Sequence, residues 1–136
     1  MGKITISELV FLEKLSNKIR ELILKIRPDE ILVHDPSDTH QEHNLVYSMT
    51  KTASRRLAVN FIRYRSGSSS NNFKANFFVN IEDYLTIKKR SLKFHKSQQF
   101  HEYFSSKHIE SFHNNFFAYN RGVKISEIFF EEFKFL

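Results

Sequence analysis

The sequence contains no cysteine and no tryptophan, and only three glycines and two prolines stand among its 136 residues. The absence of cysteine excludes disulfides, thiolate metal sites and cysteine nucleophiles. No apolar run reaches the roughly 18 residues that a membrane-spanning helix needs, so no span is expected. The N-terminal residues lack the apolar core and cleavage site of a signal peptide, and a cytoplasmic location is therefore predicted.

Two catalytic signatures are also missing, because the chain has neither a glycine-rich phosphate loop nor a G-x-S-x-G nucleophile elbow. The formal net charge is +6, but the basic residues are scattered along the chain and are densest in the segment 87–96. A basic helix face is usually a solvated one, so no nucleic-acid partner is predicted. A basic interaction protein is therefore the least supported of the functional hypotheses for this sequence; the other two, an enzyme and a non-catalytic module, are given below.

The length and the 40% hydrophobic content predict one domain over residues 1–136. Short apolar runs alternate with segments of helical periodicity, which predicts βαβ units and an α/β fold with a mostly parallel sheet. The run at 30–34 is typical of a strand that is buried on both faces. The predicted strands are 30–34, 59–64, 77–81 and 125–136, and the predicted helices are 6–26, 40–56, 82–98 and 105–119.

The stretch "HDPSDTHQEH", residues 34–43, places metal-binding side chains between a predicted strand and the following helix. Ligands of open parallel sheets bind at this end of the strands. His40 and His43 are three residues apart at a helix start, so both can project from one face. The positive helix N-terminus favours neutral imidazole, the form that binds metals, and Asp38 could orient a ring by accepting its N–H.

Two simpler interpretations remain open for this stretch. Its histidines and aspartates are expected to be too close in sequence to surround one ion comfortably, so the loop would form only part of a site. The loop could instead only cap the helix, with Ser37, Asp38 or Thr39 as the capping residue. Three other histidines, His101, His108 and His113, do not share a helical face and are expected at the surface.

The stretch "IRPDEILVHDPSDTHQEHNLVYSMTKTASRR" resembles the second half of the PIG-L/LmbE-like N-acetyl-sugar deacetylases, which have a "kPDiV" strand followed by D-x-H-x-D-H. The segments "VNFIRYRSGSSSNNFKANFFVNI", "YLTIKKRSLKFHKSQ" and "SEIFF" are similar to later stretches of the same family. The resemblance extends over residues 9–130. It implies a Rossmann-like, partly doubly wound fold and zinc-dependent hydrolysis of the acetamide of an N-acetylglucosamine-containing substrate.

The resemblance also implies roles for individual residues. By position, His43 would be a zinc ligand, His40 would face the amidosugar substrate and stabilise the oxyanion or protonate the leaving amine, and Asp38 would support His40. Glu42 stands where the family usually has aspartate. The expected substrate contacts are Asp35, Ser68, Ser69, His95 and Gln98.

The chain departs from the family in one decisive respect, because it lacks the H-P-D-D-E motif. In the family this motif supplies the other two zinc ligands and the general base. The chain is therefore expected to be the C-terminal portion of such a domain and inactive alone. We expect it to bind an N-terminal half from another polypeptide or to self-associate; the alternative is a non-catalytic sugar-binding or assembly module of the same fold.

Overall fold

A computed structural model describes residues 6–98 and 105–135, except for the side chains of Glu8 and Gln98. The chain divides into two compact units. The first unit contains the described residues up to Lys74 and those from Phe130 onward, and the second contains residues 75–129. Single-domain organisation over 1–136 thus stays a prediction. No described helix is both long and apolar enough to cross a membrane.

The first unit contains the helix–strand–helix–strand succession that the sequence pattern predicts. Helix α1 and strand β1 have the predicted bounds, because the helical apolar period stops before Pro28 and a short apolar run follows. Strands β1 and β2 pair in parallel, with His34 opposite Tyr64. The bounds are Ile6–Ile26 for α1, Glu30–His34 for β1, Gln41–Ala53 for α2 and Asn60–Tyr64 for β2.

Burial in the first unit is concentrated on β2, on one face of β1 and on the last turns of α2. Phe61 and Val33 are almost fully enclosed, whereas Leu32 is 54% exposed. Strand β1 lies at one end of the sheet order β1-β2-β4-β3, and within residues 6–98 and 105–135 only one of its edges pairs with another strand. The expectation that this strand is buried on both faces is therefore wrong.

The second unit contains β3, most of the shorter helices and the first half of β4. Strand β3 pairs antiparallel with β4, with Phe77 opposite Phe129 and Asn80 opposite Ser126. Together with the parallel pair β1–β2, this makes the sheet mixed and confirms an α/β fold. The bounds are Phe77–Asn80 for β3, Leu85–Leu92 for α3, Ser106–His113 for α4, Phe116–Tyr119 for α5 and Ser126–Phe133 for β4, with 3-10 turns at Glu82–Tyr84 and Lys96–Gln98.

Two long helices predicted for the second unit are interrupted. Helix α3 ends at Leu92 and buries none of its residues, so packing does not sustain a longer helix. The side chain of Asn115 accepts hydrogen bonds from the backbone N–H groups of Phe117 and Ala118, which starts α5 anew.

The predicted surface position of His113 is wrong, because this residue is only 6% exposed. It ends α4, whose buried face it shares with Ile109. His108 is exposed as expected, and His101 lies outside the described residues.

Candidate metal site

Three side chains of the first unit converge where β1 ends and α2 begins. His34 is the last residue of β1, Asp38 lies in the following loop, and His43 lies in the first turn of α2. One potential ligand atom of each residue lies within 4.8 Å of the others. The turn after β1 folds the loop back over the strand end, so three of these residues lie close enough together to hold a metal ion despite their short separation in sequence. That the loop forms only part of a site stays a prediction.

Asp38 is the buried centre of this group, with 4% of its surface exposed. Its Oδ1 accepts the backbone N–H of His40 at 2.9 Å, and its Oδ2 accepts the hydroxyl of Ser66. His40 is the N-cap residue of α2 and makes no side-chain cap bond. None of the three residues proposed as helix caps therefore takes that role, and Asp38 instead orders the loop.

The pKa of Asp38 is lowered far below the ordinary carboxyl range. Burial alone would raise this pKa, but hydrogen bonds from the Ser66 hydroxyl and the His40 N–H outweigh it, with further contributions from His43 and Ser68. The carboxylate is therefore ionised at neutral pH. An ionised carboxylate in a closed loop is a ready ligand for a cation.

The imidazole rings of His34 and His43 are stacked, with centroids 3.6 Å apart and planes 6° from parallel. Burial, followed by the proximity of His43, lowers the pKa of His34, so His34 is neutral at pH 7. Nδ1 of His34 and Nδ1 of His43 are both buried and lack hydrogen-bond partners. The His43 atom lies 3.1 Å from Oδ2 of Asp38 but is not aligned for a hydrogen bond.

Tyr64 determines which nitrogen of His34 is available. Its hydroxyl lies 2.9 Å from Nε2 of His34. Burial raises the pKa of Tyr64, with a smaller contribution from Asp38, so the phenol is neutral at physiological pH. When Nε2–H donates to the phenol oxygen, the lone pair of Nδ1 is left free to bind a cation.

A serine loop, residues 66–70, closes over Asp38 from the end of β2. Besides the Ser66 bond, Ser69 forms an antiparallel bridge with Asp38, and the Ser68 carbonyl accepts the Thr39 N–H at 3.0 Å. The predicted contact residues Ser68 and Ser69 thus lie beside the metal-binding group. Their substrate-binding role stays a prediction, and the contacts observed here stabilise the loop.

Asp35 is buried and ion-paired. Its Oδ2 lies 2.8 Å from Nη1 of Arg63, and its Oδ1 accepts the backbone N–H of Ser37 at 2.8 Å. The contacts of Asp35 hold the start of the loop against β2. Its predicted role in substrate binding remains untested.

The remaining predicted site residues fall in different places. His40 is exposed, and its ring centroid lies 5.0 Å from that of His43; its substrate-facing role stays a prediction. His95 is an exposed residue of the second unit, and the side chain of Gln98 lies outside the described residues.

Sequence reasoning missed Tyr64 and Ser66, and it included His34 only as one of several candidate ligands in the stretch 34–43. The available signal was the parallel pairing that the sequence pattern predicted. It brings the ends of β1 and β2 together, so residues that follow the second strand lie beside the loop that follows the first.

The fold and this strand-end cluster define an α/β protein with a candidate cation site. No family model and no curated protein matches the chain. Several solved structures are similar, among them the conserved protein TT1542 from Thermus thermophilus, with a TM-score of 0.70 and 14% identity, and GalB, the 4-carboxy-2-hydroxymuconate hydratase from Pseudomonas putida, with a TM-score of 0.69 and 9% identity. The matches cover 90% and 91% of this chain but only 60% of each neighbour. At these identities the likeness shows the fold alone.

Proposed function

We propose that the cluster of His34, Asp38 and His43 binds a zinc ion, and that the chain is the C-terminal portion of a metal-dependent hydrolase. The substrate class is an N-acetylglucosamine-containing amidosugar, as the resemblance to the PIG-L/LmbE-like deacetylases implies. The Rossmann-like architecture and the cytoplasmic location belong to this proposal. One observation carries it: two buried imidazole nitrogens that make no hydrogen bond lie close to an ionised carboxylate.

The donor set suits zinc in type and number. The rings of His34 and His43 are stacked in parallel, so one of them must rotate before both can point a nitrogen lone pair at one ion. Neutral imidazole and carboxylate are preferred zinc ligands, and catalytic sites use three protein ligands with one open position. Two ligands of a tetrahedral zinc lie about 3.3 Å apart, and Nδ1 of His43 and Oδ2 of Asp38 are 3.1 Å apart. The other pairs, at up to 4.8 Å, must close by about 1.5 Å or less.

The roles of the chain's own residues follow from their positions. A zinc ion would supply a Lewis acid that polarises the acetamide carbonyl and acidifies water. His40, exposed beside His43, can donate a proton to the departing amine of the sugar. Tyr64 and Ser66 orient His34 and Asp38 through hydrogen bonds.

The site needs a base that the described residues of this cluster do not supply. Its only carboxylate, Asp38, already accepts hydrogen bonds on both oxygens. The deacetylase proposal therefore includes a second segment that brings a carboxylate to the site.

The unpaired edge of β1 is suited to receive that segment. A strand edge presents free N–H and C=O groups and pairs readily with another strand, and Leu32 on this strand is 54% exposed. His34 ends the same strand, so a parallel partner would end next to the cluster. The chain spans 60% of the length of each structural neighbour.

Zinc titration of the purified chain tests the metal site. His43→Ala and His34→Ala should each weaken zinc binding about 100-fold or more in calorimetry, since each removes one ligand. His40→Ala is the matched control, because it removes a neighbouring imidazole that is assigned to the substrate. Its zinc affinity should stay within about threefold of the wild-type value. Equal losses in all three variants would refute the assignment, and so would wild-type protein that takes up no zinc.

Acetate release tests the reaction. The zinc-loaded chain is mixed with a polypeptide that carries a strand followed by H-P-D-D-E, with an N-acetylglucosamine conjugate as substrate. Turnover should appear only in the mixture and should fall in His40→Ala although its zinc is retained. Retained sugar binding without turnover in any combination would instead support the non-catalytic module.

A further inference from the structure

A second concave site lies in the first unit, at the end of α2 and before β2. Its volume is about 800 Å³, which falls in the range of small-molecule sites. Leu57, Val59, Phe133 and Phe135 provide apolar walls. The metal cluster lies at the other end of the parallel strand pair, where His34 is opposite Tyr64, so this cavity is a separate feature.

All the charged residues that line the cavity are cationic, namely Lys51, Arg55 and Arg56. Lys51 is neutralised by an ion pair with Glu132. Within the described part of the chain, the guanidinium groups of Arg55 and Arg56 have no carboxylate partner. The cavity therefore carries two uncompensated positive charges of the kind that bind carboxylates and other oxyanions bidentately.

The end of α2 does not cancel this positive charge. Free carbonyl groups at a helix C-terminus normally repel anions. Here Nη1 of Arg20 donates to the carbonyl oxygens of Ala53 and Arg55, at 2.8 and 2.9 Å. A third cation thus covers the carbonyl groups nearest to the cavity.

The backbone at Arg56 is unusual for a residue with a side chain. Its φ of 62° lies in the left-handed region, where glycine is the common choice after a helix. Glycine would form the same turn without steric cost, so the turn alone does not explain an arginine here. Arg56 with this backbone conformation lines the cavity.

We propose that this cavity binds an amphipathic organic anion, with a carboxylate head on Arg55 and Arg56 and an apolar body against Leu57, Val59 and Phe133. The apolar walls bind the body and the uncompensated charges bind the head, so both parts contribute to affinity. The proposal is independent of the zinc site and of the hydrolase reaction.

Calorimetric titration with decanoate, kept below its micellar concentration, tests the pairing of head and body. Decanoate should bind, whereas decanol and acetate, which each lack one half of the ligand, should bind at least about tenfold more weakly. Equal binding of decanol would overturn the proposal, as would no binding of decanoate. Binding to anionic phospholipid vesicles without binding of decanoate would identify a membrane surface instead, and would also overturn it.

Two matched variants locate the anion on the protein. Arg56→Gly and Arg27→Gly each remove one guanidinium and relieve one left-handed residue, since φ of Arg27 is 52°. Arg27 lines a neighbouring cavity that shares Leu57, Val59 and Phe135 with this one, but not the part where the proposal places the carboxylate head. Both variants should have an unchanged or higher Tm, so a loss of binding cannot be attributed to unfolding.

Arg56→Gly should weaken decanoate binding about tenfold, because it removes one charge-assisted hydrogen-bond donor. Arg27→Gly should leave the affinity unchanged. Equal weakening in the two variants would show that binding follows the overall positive charge. No weakening in Arg56→Gly would show that the carboxylate head does not bind in this cavity. Either result overturns the proposal.

Discussion

Arg63 links two buried carboxylates of the first unit, and its replacement by methionine should destabilise the fold strongly. Its Nη1 lies 2.8 Å from Oδ2 of Asp35, and its Nε lies 3.2 Å from Oε2 of Glu132, close enough for charge attraction but without hydrogen-bond alignment. The guanidinium also lies 4.0 Å from the centroid of the Phe130 ring. The side chains of Arg63, Asp35 and Glu132 are 17%, 5% and 13% exposed.

The size of the effect follows from what remains after the substitution. Removing one partner of a buried ion pair costs about 3–5 kcal/mol, because the other charge stays buried. Glu132 keeps Lys51 and Tyr47 as partners, so Asp35 accounts for most of the loss. Methionine preserves much of the contact with Phe130, but the cation–π attraction of about 0.5–1 kcal/mol disappears. We expect a loss of about 3–4 kcal/mol.

Urea unfolding at neutral pH, followed by circular dichroism, measures this loss directly. Lys51→Met is the matched control, since it also removes a cation from Glu132. Lys51 is 42% exposed and Arg63 remains, so the control should cost less than about 1 kcal/mol. Adding Asp35→Asn to Arg63→Met should recover part of the loss, because it removes the uncompensated charge and leaves an acceptor for the Ser37 N–H.

The reasoning would be refuted by an Arg63→Met protein that unfolds within about 1 kcal/mol of the wild type. The reasoning would also be refuted if Lys51→Met lost as much unfolding free energy as Arg63→Met. In that case the exposure of the cation would not determine how much stability its removal costs. Failure of Asp35→Asn to restore stability would show that Asp35 is not the destabilised group.

Three further predictions concern other parts of the chain. Hydrogen bonding to Glu132 raises the pKa of Lys51. The contribution of Lys51 to the free energy of unfolding is therefore complete below the ordinary lysine pKa and is lost as the pH rises through the raised value. In urea unfolding, the stability difference between wild type and Lys51→Met should shrink above pH about 10.5. Leu32→Lys places a charge on the unpaired edge of β1 and should reduce self-association in light scattering with little change in unfolding free energy, whereas unchanged association would exclude this edge as the contact. Gly122 has φ of 82° with no atom within 4 Å of an added Cβ, so Gly122→Ala should cost about 1 kcal/mol from backbone strain alone, and a neutral result would contradict the left-handed turn.

Local sequence patterns predicted the first unit well because its elements are bounded by local signals. The apolar period of α1 stops before Pro28, and the adjacent short apolar run forms β1 with the predicted bounds. In the second unit the same reasoning failed at Leu92 and Asn115. Helix α3 ends there without burying any residue, and the side chain of Asn115 starts a new helix. Neither break is marked in the sequence by a proline or a glycine.

The candidate site was foreseen in part. His40, Asp38 and His43 were selected because they lie between a strand and a helix within one short segment. The contact between Asp38 and Ser66 spans 28 residues of sequence. It depends on the pairing of β1 with β2, which no local pattern specifies residue by residue.

The amino-acid sequence by itself determined the absence of thiol chemistry, the order of the elements around β1, and the crowding of imidazoles and carboxylates at its end. These properties depend on composition and on the periodicity of neighbouring residues. Only the tertiary structure decided that His34 stacks on His43, that Ser66 closes over Asp38, and that Leu32 lies at an unpaired edge. Such contacts join residues from different elements, and their geometry is determined by strand register and packing.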